Sequence, residues 1–343
     1  MATVTPTHFT VADIESAFGI NAGDKVEYNY ANLRDLFKAL LVNGAGSKPA
    51  LGWTIQFPED TDAIVFRSPD DTYSIGVKQG SGTGTTYDGW ADVVYSQDFT
   101  DNYTATSMFY SCCIPDLYPY HAQAVGYADN IYIMFATDLN TAYTTRTATP
   151  QYQIMLMSGY YNSLHGDLKP LFAVGGVSNR INLGGGAYES IPLYSVNPPY
   201  SSYISFVPRI TSNLLVNNIG GISVPNAQDG SPFPTTPAWL NLFTHGIDTG
   251  YSYWLTQQSI ENNQYVFTPI LKRIYDSTFE DISTVDQQIF VGSLRGVDMT
   301  FNNYHSTIAT NTFLTINTYN GKQYLWFRTL NAPLLVRVDA WEI

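Results

Sequence analysis

Two stretches decide how the chain is read: FLTINTYNGKQYLWFR (Phe313–Arg328) and, after a break at Asn331-Ala332-Pro333, LLVRVDAWEI (Leu334–Ile343). Asn320-Gly321 lies between two runs rich in Thr, Ile, Tyr, Trp and Phe. A two-residue hairpin turn needs positive φ at its centre, which Asn-Gly tolerates best, and β-branched and aromatic flanks suit a pleated surface. The spacing predicts a hairpin that pairs Phe313–Thr318 with Gln323–Arg328. The last run alternates, with Leu334, Val336, Val338 and Ala340 on one side and Leu335, Arg337, Asp339 and Trp341 on the other. That period predicts one further strand through Ile343, which ties this end of the chain into a sheet.

Working backwards, the same pattern of short strands and turns extends to Trp53. It predicts strands at Trp53–Phe57, Ala63–Arg67, Tyr73–Lys78, Ala91–Tyr95, Thr106–Cys113, Ile131–Thr137, Tyr152–Met157 and Leu171–Val174. Further candidates are Tyr203–Pro208, Leu214–Asn217, Ile219–Val224, Tyr251–Thr256, Gln264–Ile274 and Gln288–Leu294. The run YQIMLMSGYY (Tyr152–Tyr161) is apolar almost throughout, as a strand covered on both faces would be. Gly184–Gly186, Pro192 and Pro198-Pro199 read as a loop-rich connector between domains. Asp229–Pro237 (DGSPFPTTP) reads as a Pro-rich excursion toward solvent or a partner. No fixed-period repeat is visible.

Before Trp53 the periodicity is helical. Thr10 is placed to cap Val11–Phe18, with Asp13 in the first turn and Gly19 at the end. In Tyr30–Val42, Leu33, Leu36, Phe37, Leu40 and Leu41 recur at helical spacing and Asn43-Gly44 stops the run. Such a face either packs on the following domain or docks as an arm on a neighbouring subunit. Asn43–Pro49 (NGAGSKP) reads as a hinge. The division expected is a helical N-terminal arm over 1–50, a β domain over 51–185 and a second β domain over 186–343. The fold class is mainly β, in antiparallel sandwich or barrel-like regions, with a short helical N-terminal segment.

Composition limits the function. Only 13% of the 343 residues are charged, while Tyr contributes 26 and Phe 18. The net charge is −13 and no Lys/Arg cluster is present, which argues against direct nucleic-acid binding. No basic-then-apolar leader opens the chain, and no run of about 18 apolar residues is long enough for a membrane helix. The two cysteines, Cys112 and Cys113, are adjacent, so they read as reduced thiols and not as a disulfide framework. Tyr is enriched at protein contacts, and clusters at Tyr118/Tyr120, Tyr160-Tyr161, Tyr200/Tyr203 and Tyr251/Tyr253 suggest large buried interfaces.

The search for chemistry yields no catalytic, cofactor-binding or metal-binding residue. His8, His121, His165, His245 and His305 are scattered without zinc-ligand spacing. No nucleophile elbow occurs, and Gly80–Gly89 (GSGTGTTYDG) is not followed by the Lys and helix of a phosphate loop. Carboxylates cluster at Glu59, Asp60 and Asp62, at Asp70-Asp71, and at Asp88 and Asp92 around Trp90. Turn chemistry explains Asp in such contexts; a Ca²⁺ site or a glycan-cleaving pair are the sharper readings.

The segment Gly292–Thr300 (GSLRGVDMT), with FLTINTYNGKQYLWFR after it, resembles the closing module of some tailed-bacteriophage virion proteins. The remainder of the chain agrees with that group in being β-rich, Tyr/Asn/Thr-rich and acidic. The resemblance implies a non-enzymatic structural part of the tail, baseplate or neck, located in the virion and made in the host cytoplasm. Its partners would be other virion proteins and copies of itself, and it carries no cofactor. A carbohydrate-binding adhesin or capsid decoration, with Trp90 and Tyr clusters stacking on a host glycan, is the alternative, and a glycan hydrolase the third.

Overall fold

Helix α1 (Val11–Phe18) begins where the sequence offers a cap. Thr10 Oγ1 accepts from the Asp13 N–H at 3.2 Å, and Asp13 Oδ2 accepts from the Thr10 N–H at 2.9 Å. The two ends of this box satisfy donors that the first helical turn leaves open. Gly19 closes the helix at φ +65. Helix α2 (Tyr30–Lys38) is capped by Asn29 and runs on into a π-helical turn, Ala39–Asn43. Leu33, Leu36, Phe37, Leu40 and Leu41 are fully buried.

The computed structural model describes residues 2–80, 91–114, 119–137, 152–163, 171–179, 189–192, 255–261, 264–274, 288–301, 316–319, 321–327 and 334–343. Within them the chain is mainly β. After β1 (Thr3–Val4) and β2 (Thr7–Phe9), an antiparallel meander forms a five-stranded sheet. Its members, in spatial order, are β3 (Thr54–Ile55), β4 (Ala63–Arg67), β5 (Ser74–Gln79), β6 (Ala91–Phe99) and β7 (Ala105–Ile114).

A larger antiparallel sheet follows. It contains β8 (His121–Tyr127), β9 (Asn130–Ala136), β10 (Tyr152–Ser163), β11 (Leu171–Asn179), β12 (Glu189–Pro192), β13 (Leu255–Glu261) and β14 (Gln264–Ile274). It continues through β15 (Gln288–Leu294), β16 (Val297–Phe301), β17 (Ile316–Tyr319), β18 (Lys322–Phe327) and β19 (Leu334–Arg337). The strand order is β17-β18-β19-β16-β14-β15-β10-β9-β8-β2, with β11 also on β10, β12 on β11 and β13 on β14.

The two sheets share one core. Ile64, Phe66, Ile75, Val77, Val93 and Tyr95 of the small sheet cluster with Ala124, Ile133, Phe135, Ile154 and Leu156 of the large one. The apolar face of α2 and Phe9 of β2 belong to the same cluster. Of the two readings of the helical segment's apolar face, packing on the chain's own sheets is the one its core residues show. Residues 1–50 also supply two strands that the sequence did not reveal: β2 pairs with β8, and β1 pairs with β20 (Trp341–Glu342). Residues 43–49, read as a hinge, form a tight turn. Ala45 and Lys48 exchange backbone hydrogen bonds, and Gly46 lies so close to Asp13 of α1 that a Cβ there would meet its Cα at 3.0 Å.

The C-terminal hairpin has the expected register, Thr318 opposite Gln323 and Tyr319 opposite Lys322, with Gly321 at φ +74. Phe313–Thr315 and Arg328 lie outside the described residues. The last run is two strands and not one. β19 ends at Arg337, the chain bends at Val338-Asp339, and β20 leaves the large sheet for β1. Trp341 holds the bend: its buried indole donates back to the Arg337 carbonyl at 2.8 Å and stacks on Tyr132 with centroids 5.0 Å apart. The connector at 184–199 is outside the described residues apart from β12, and the excursion at 229–237 is outside them entirely.

Candidate functional site

Strand β10 changes partner along its length, and this change builds an unusual junction among the described residues. Residues 153–158 pair with β9, and Tyr161–Ser163 pair with β15. Between the two ladders lies Gly159 at φ +134, packed so closely on Asn130 that a Cβ would come within 2.7 Å of the Asn130 Cα. The Asn130 side chain substitutes for the missing strand. Its Oδ1 accepts from the Tyr160 N–H at 3.2 Å and its Nδ2 donates to the Tyr160 carbonyl at 2.8 Å. A buried backbone pair is thereby satisfied where the ladder stops.

Tyr160 then reaches across to the turn joining β4 and β5. Its hydroxyl donates to Asp70 Oδ2 and lies in hydrogen-bond contact with Thr72 Oγ1. The other Asp70 oxygen accepts from Ser68 Oγ at 2.9 Å, from the Thr72 N–H at 3.2 Å and from Thr72 Oγ1 at 2.5 Å. The local bonds to residues i−2 and i+2 are ordinary Asp turn chemistry, as the sequence implied. The link to Tyr160, 90 positions away, is not local.

A second carboxylate meets the first. Asp129 belongs to the two-residue turn between β8 and β9, and its Oδ1 accepts from the Asp70 N–H at 3.0 Å. Burial and the charge of the nearby Asp70 carboxylate push Asp129 up to about 6, although the Asp70 N–H acts the other way. Burial, followed by the bond to Asp70, raises the Tyr160 hydroxyl as well.

The surroundings hold this junction in place. Ala128, before Asp129, sits at φ +48, and Asp71, after Asp70, at φ +61. Side chains other than Gly rarely adopt such values and they cost about 1–2 kcal/mol each. Two aromatic donors restrain the first turn: Trp53 Nε1 donates to the Ala128 carbonyl at 2.9 Å, and Tyr73 Oη to the Asp129 carbonyl at 2.5 Å. Those two rings meet edge-on at 5.1 Å. Asp71 is held by Arg67, whose guanidinium bonds its carboxylate at 2.5 Å and its carbonyl at 2.7 Å. Arg295, in the turn between β15 and β16, lies over the Tyr160 ring at 5.4 Å and donates to Asn162 at 3.2 Å.

The remaining acidic candidates separate. Glu59 forms ion pairs with Lys38 at 2.8 Å and Arg34 at 3.3 Å. Asp60 accepts from Thr61 Oγ1 and the Asp62 N–H within its own turn. Asp92 lies on β6 opposite Lys78 and Cys113, and Cys112 lies opposite Val93. Asp88 and Trp90 are outside the described residues. His8 is in β2 with Nε2 at 3.5 Å from Gln123 Oε1, and His121 is buried in β8 with Nδ1 at 3.6 Å from Glu15 Oε1. His165, His245 and His305 are outside the described residues. Among the described residues, no three His, Cys, Asp or Glu side chains gather to hold a metal ion. Nor is any helix among them long and apolar enough to cross a membrane.

The Tyr clusters also resolve in part. Tyr120, Tyr160 and Tyr161 are core residues and not surface contacts. Tyr103 and Tyr127 are the exposed ones among those described, and no pattern in the sequence singles them out. Tyr118, Tyr200, Tyr203, Tyr251 and Tyr253 are outside the described residues.

Asp70 and Asp129 are brought together through the Asp70 N–H and Asp129 Oδ1. The chain matches no protein-family model and no curated protein sequence.

Proposed function

We propose that the protein is a structural subunit of a tailed-phage particle, in the tail, baseplate or neck, and that it acts by assembly with other virion proteins and with copies of itself. The observation that carries this reading is the C-terminal module whose sequence resembles virion proteins. Its strands β16, β19, β18 and β17 lie side by side and extend the large sheet outward from the core. Among the described residues β17 pairs on one side only, and Ile316 on it is 43% exposed. A sheet edge with an exposed β-branched residue offers backbone groups and apolar area to a neighbouring subunit. The sparse charge supports the same reading, since surfaces buried in obligate contacts are depleted in charge.

The acidic turns are consistent with it. Asp70, Asp71, Glu59 and Asp60 each have their oxygens engaged by neighbouring donors, which is a structural use of carboxylates. Mass spectrometry of purified particles tests the proposal. The chain is expected at a fixed copy number per particle, and particles made without it should lack the structures that it joins. Recovery of the chain only in the soluble fraction, with complete particles forming in its absence, would overturn the reading.

A further inference from the structure

Two connections of the five-stranded sheet bring carboxylates to one place. Asp60 and Asp62 lie between β3 and β4, and Asp101 lies in the turn between β6 and β7. Asn102 ties the two together, its Nδ2 donating to the Pro58 carbonyl at 2.7 Å. Tyr103 follows at the tip and is 48% exposed, the most open of the large apolar side chains described. Asp60 foremost, then Asp62 and Asp101, push its hydroxyl up to about 12, so the three acids stand around one exposed ring.

These acids are not neutralised. Among the described residues Asp60, Asp62 and Asp101 form no ion pair, whereas Glu59 is taken by Lys38 and Arg34, and Asp71 by Arg67. Lys78 offsets part of the Asp101 charge, but its ammonium is occupied by the Tyr103 carbonyl and by the Phe99 ring at 5.6 Å. Asn102 adds an independent sign. The residue is only 8% exposed, and with its nitrogen on Pro58 its Oδ1 is left without a hydrogen-bond partner where the two acidic connections touch. Buried acceptors without a donor are rare in folded chains. Acceptors gathered in this way call for a donor from outside the chain.

The kind of donor follows from the spacing. A calcium ion needs oxygens converging at about 2.3–2.6 Å. Among the described residues no such group of acids gathers. Acids spread over two connections around an aromatic ring suit cations carried on flexible stems. A guanidinium both stacks on an aromatic face and forks to carboxylates. We infer that the Tyr103 tip and the 58–62 connection form a docking surface for an Arg-bearing segment of a different protein. A second copy is the poorer partner, because Arg34, Arg67, Arg295 and Arg337 are already held within their own chain. The inference stands apart from the proposed role in a particle.

Fluorescence anisotropy of a dye-labelled hexa-arginine peptide with the full chain, at about 50 mM salt to limit screening, reads the docking. Tyr103→Ser alters no charge and removes an exposed ring, so the chain should fold normally and bind about twofold to fivefold more weakly. Asp60→Asn with Asp62→Asn keeps both shapes and should weaken binding about threefold to tenfold. Asp24→Asn with Glu27→Gln removes the same charge from the exposed loop before α2 and should weaken it less than about twofold. Equal weakening by the two charge pairs would mean a general attraction to an acidic chain and would overturn the proposal. So would a peptide that fails to bind the wild type, or one that binds Tyr103→Ser equally well. Binding that responds to Tyr103→Ser but not to loss of Asp60 and Asp62 would also refute it, as the pattern of a ring stacking on a neutral sugar. A wild-type dimer that Tyr103→Ser converts to monomer would assign the face to a second copy instead.

Discussion

Replacing Gly296 by Ala tests the packing that anchors the C-terminal segment. Gly296 lies in the turn between β15 and β16 at φ +65. A Cβ there would come within 2.6 Å of Trp341 Cε2 and nearer still to Nε1 and Cδ1. The indole cannot easily retreat. It is fully buried, stacked on Tyr132, and tied by its N–H to the Arg337 carbonyl. The backbone strain of an L-residue at this φ costs about 1–2 kcal/mol. Displacing the ring forfeits much of a stack worth about 0.5–1.5 kcal/mol and a hydrogen bond of similar worth. The variant should therefore lose about 2–5 kcal/mol, within the range of overpacked cores. Urea unfolding of four proteins measures it: wild type, Gly296→Ala, Trp341→Ala and the double variant. With the indole gone, only the backbone strain remains, and Gly296→Ala should cost about 1–2 kcal/mol in that background. An equal cost in both backgrounds would show that the indole contact is not the source. A cost under about 0.5 kcal/mol in the wild-type background would refute the packing argument altogether.

Other substitutions separate local from tertiary effects. Thr10→Ala removes the cap of α1 and should lower stability by about 0.5–2 kcal/mol, read as a shift in the urea midpoint without a change in slope. Phe37→Ala opens the core shared by α2 and both sheets and should cost about 3–5 kcal/mol. For the same reason a chain lacking residues 1–43 should fail to give the sharp thermal transition of the full chain. At Gly321 an added Cβ meets nothing within 4 Å, so Gly321→Val should cost only the strain of positive φ, about 1–2 kcal/mol, and Gly321→Asn clearly less. Thermal melts of the two variants would rank them, and an equal loss in both would point to a contact at Gly321 and not to its φ.

What the sequence determined by itself is local. The cap of α1 depends on Thr10 and Asp13, three residues apart, and its end on Gly19; all three were legible because a helix terminus is solved by its own neighbours. The Asn320-Gly321 hairpin was legible for the same reason, and its register is fixed by a two-residue turn. Strands β4, β14 and β15 run over the expected residues, since apolar or alternating runs between turn residues leave few other conformations.

Only the tertiary structure decided the rest. β8 was missed because HAQAVGY is made mostly of small and polar residues with a single β-branched one; it is nonetheless buried on both faces, which its own residues do not announce. β1 and β20 are too short to signal themselves and exist because they pair across nearly the whole chain. The apolar face of α2 was plain in the sequence, but whether it met this chain or another depended on where β5 and β6 lay. Asp70 was legible as a turn residue and Asp129 was not singled out at all. Their meeting requires two turns, 59 positions apart, to be brought together by opposite sheets. An Asp is ordinary by its type; its affinity for a proton is set by burial and by the neighbour that folding provides.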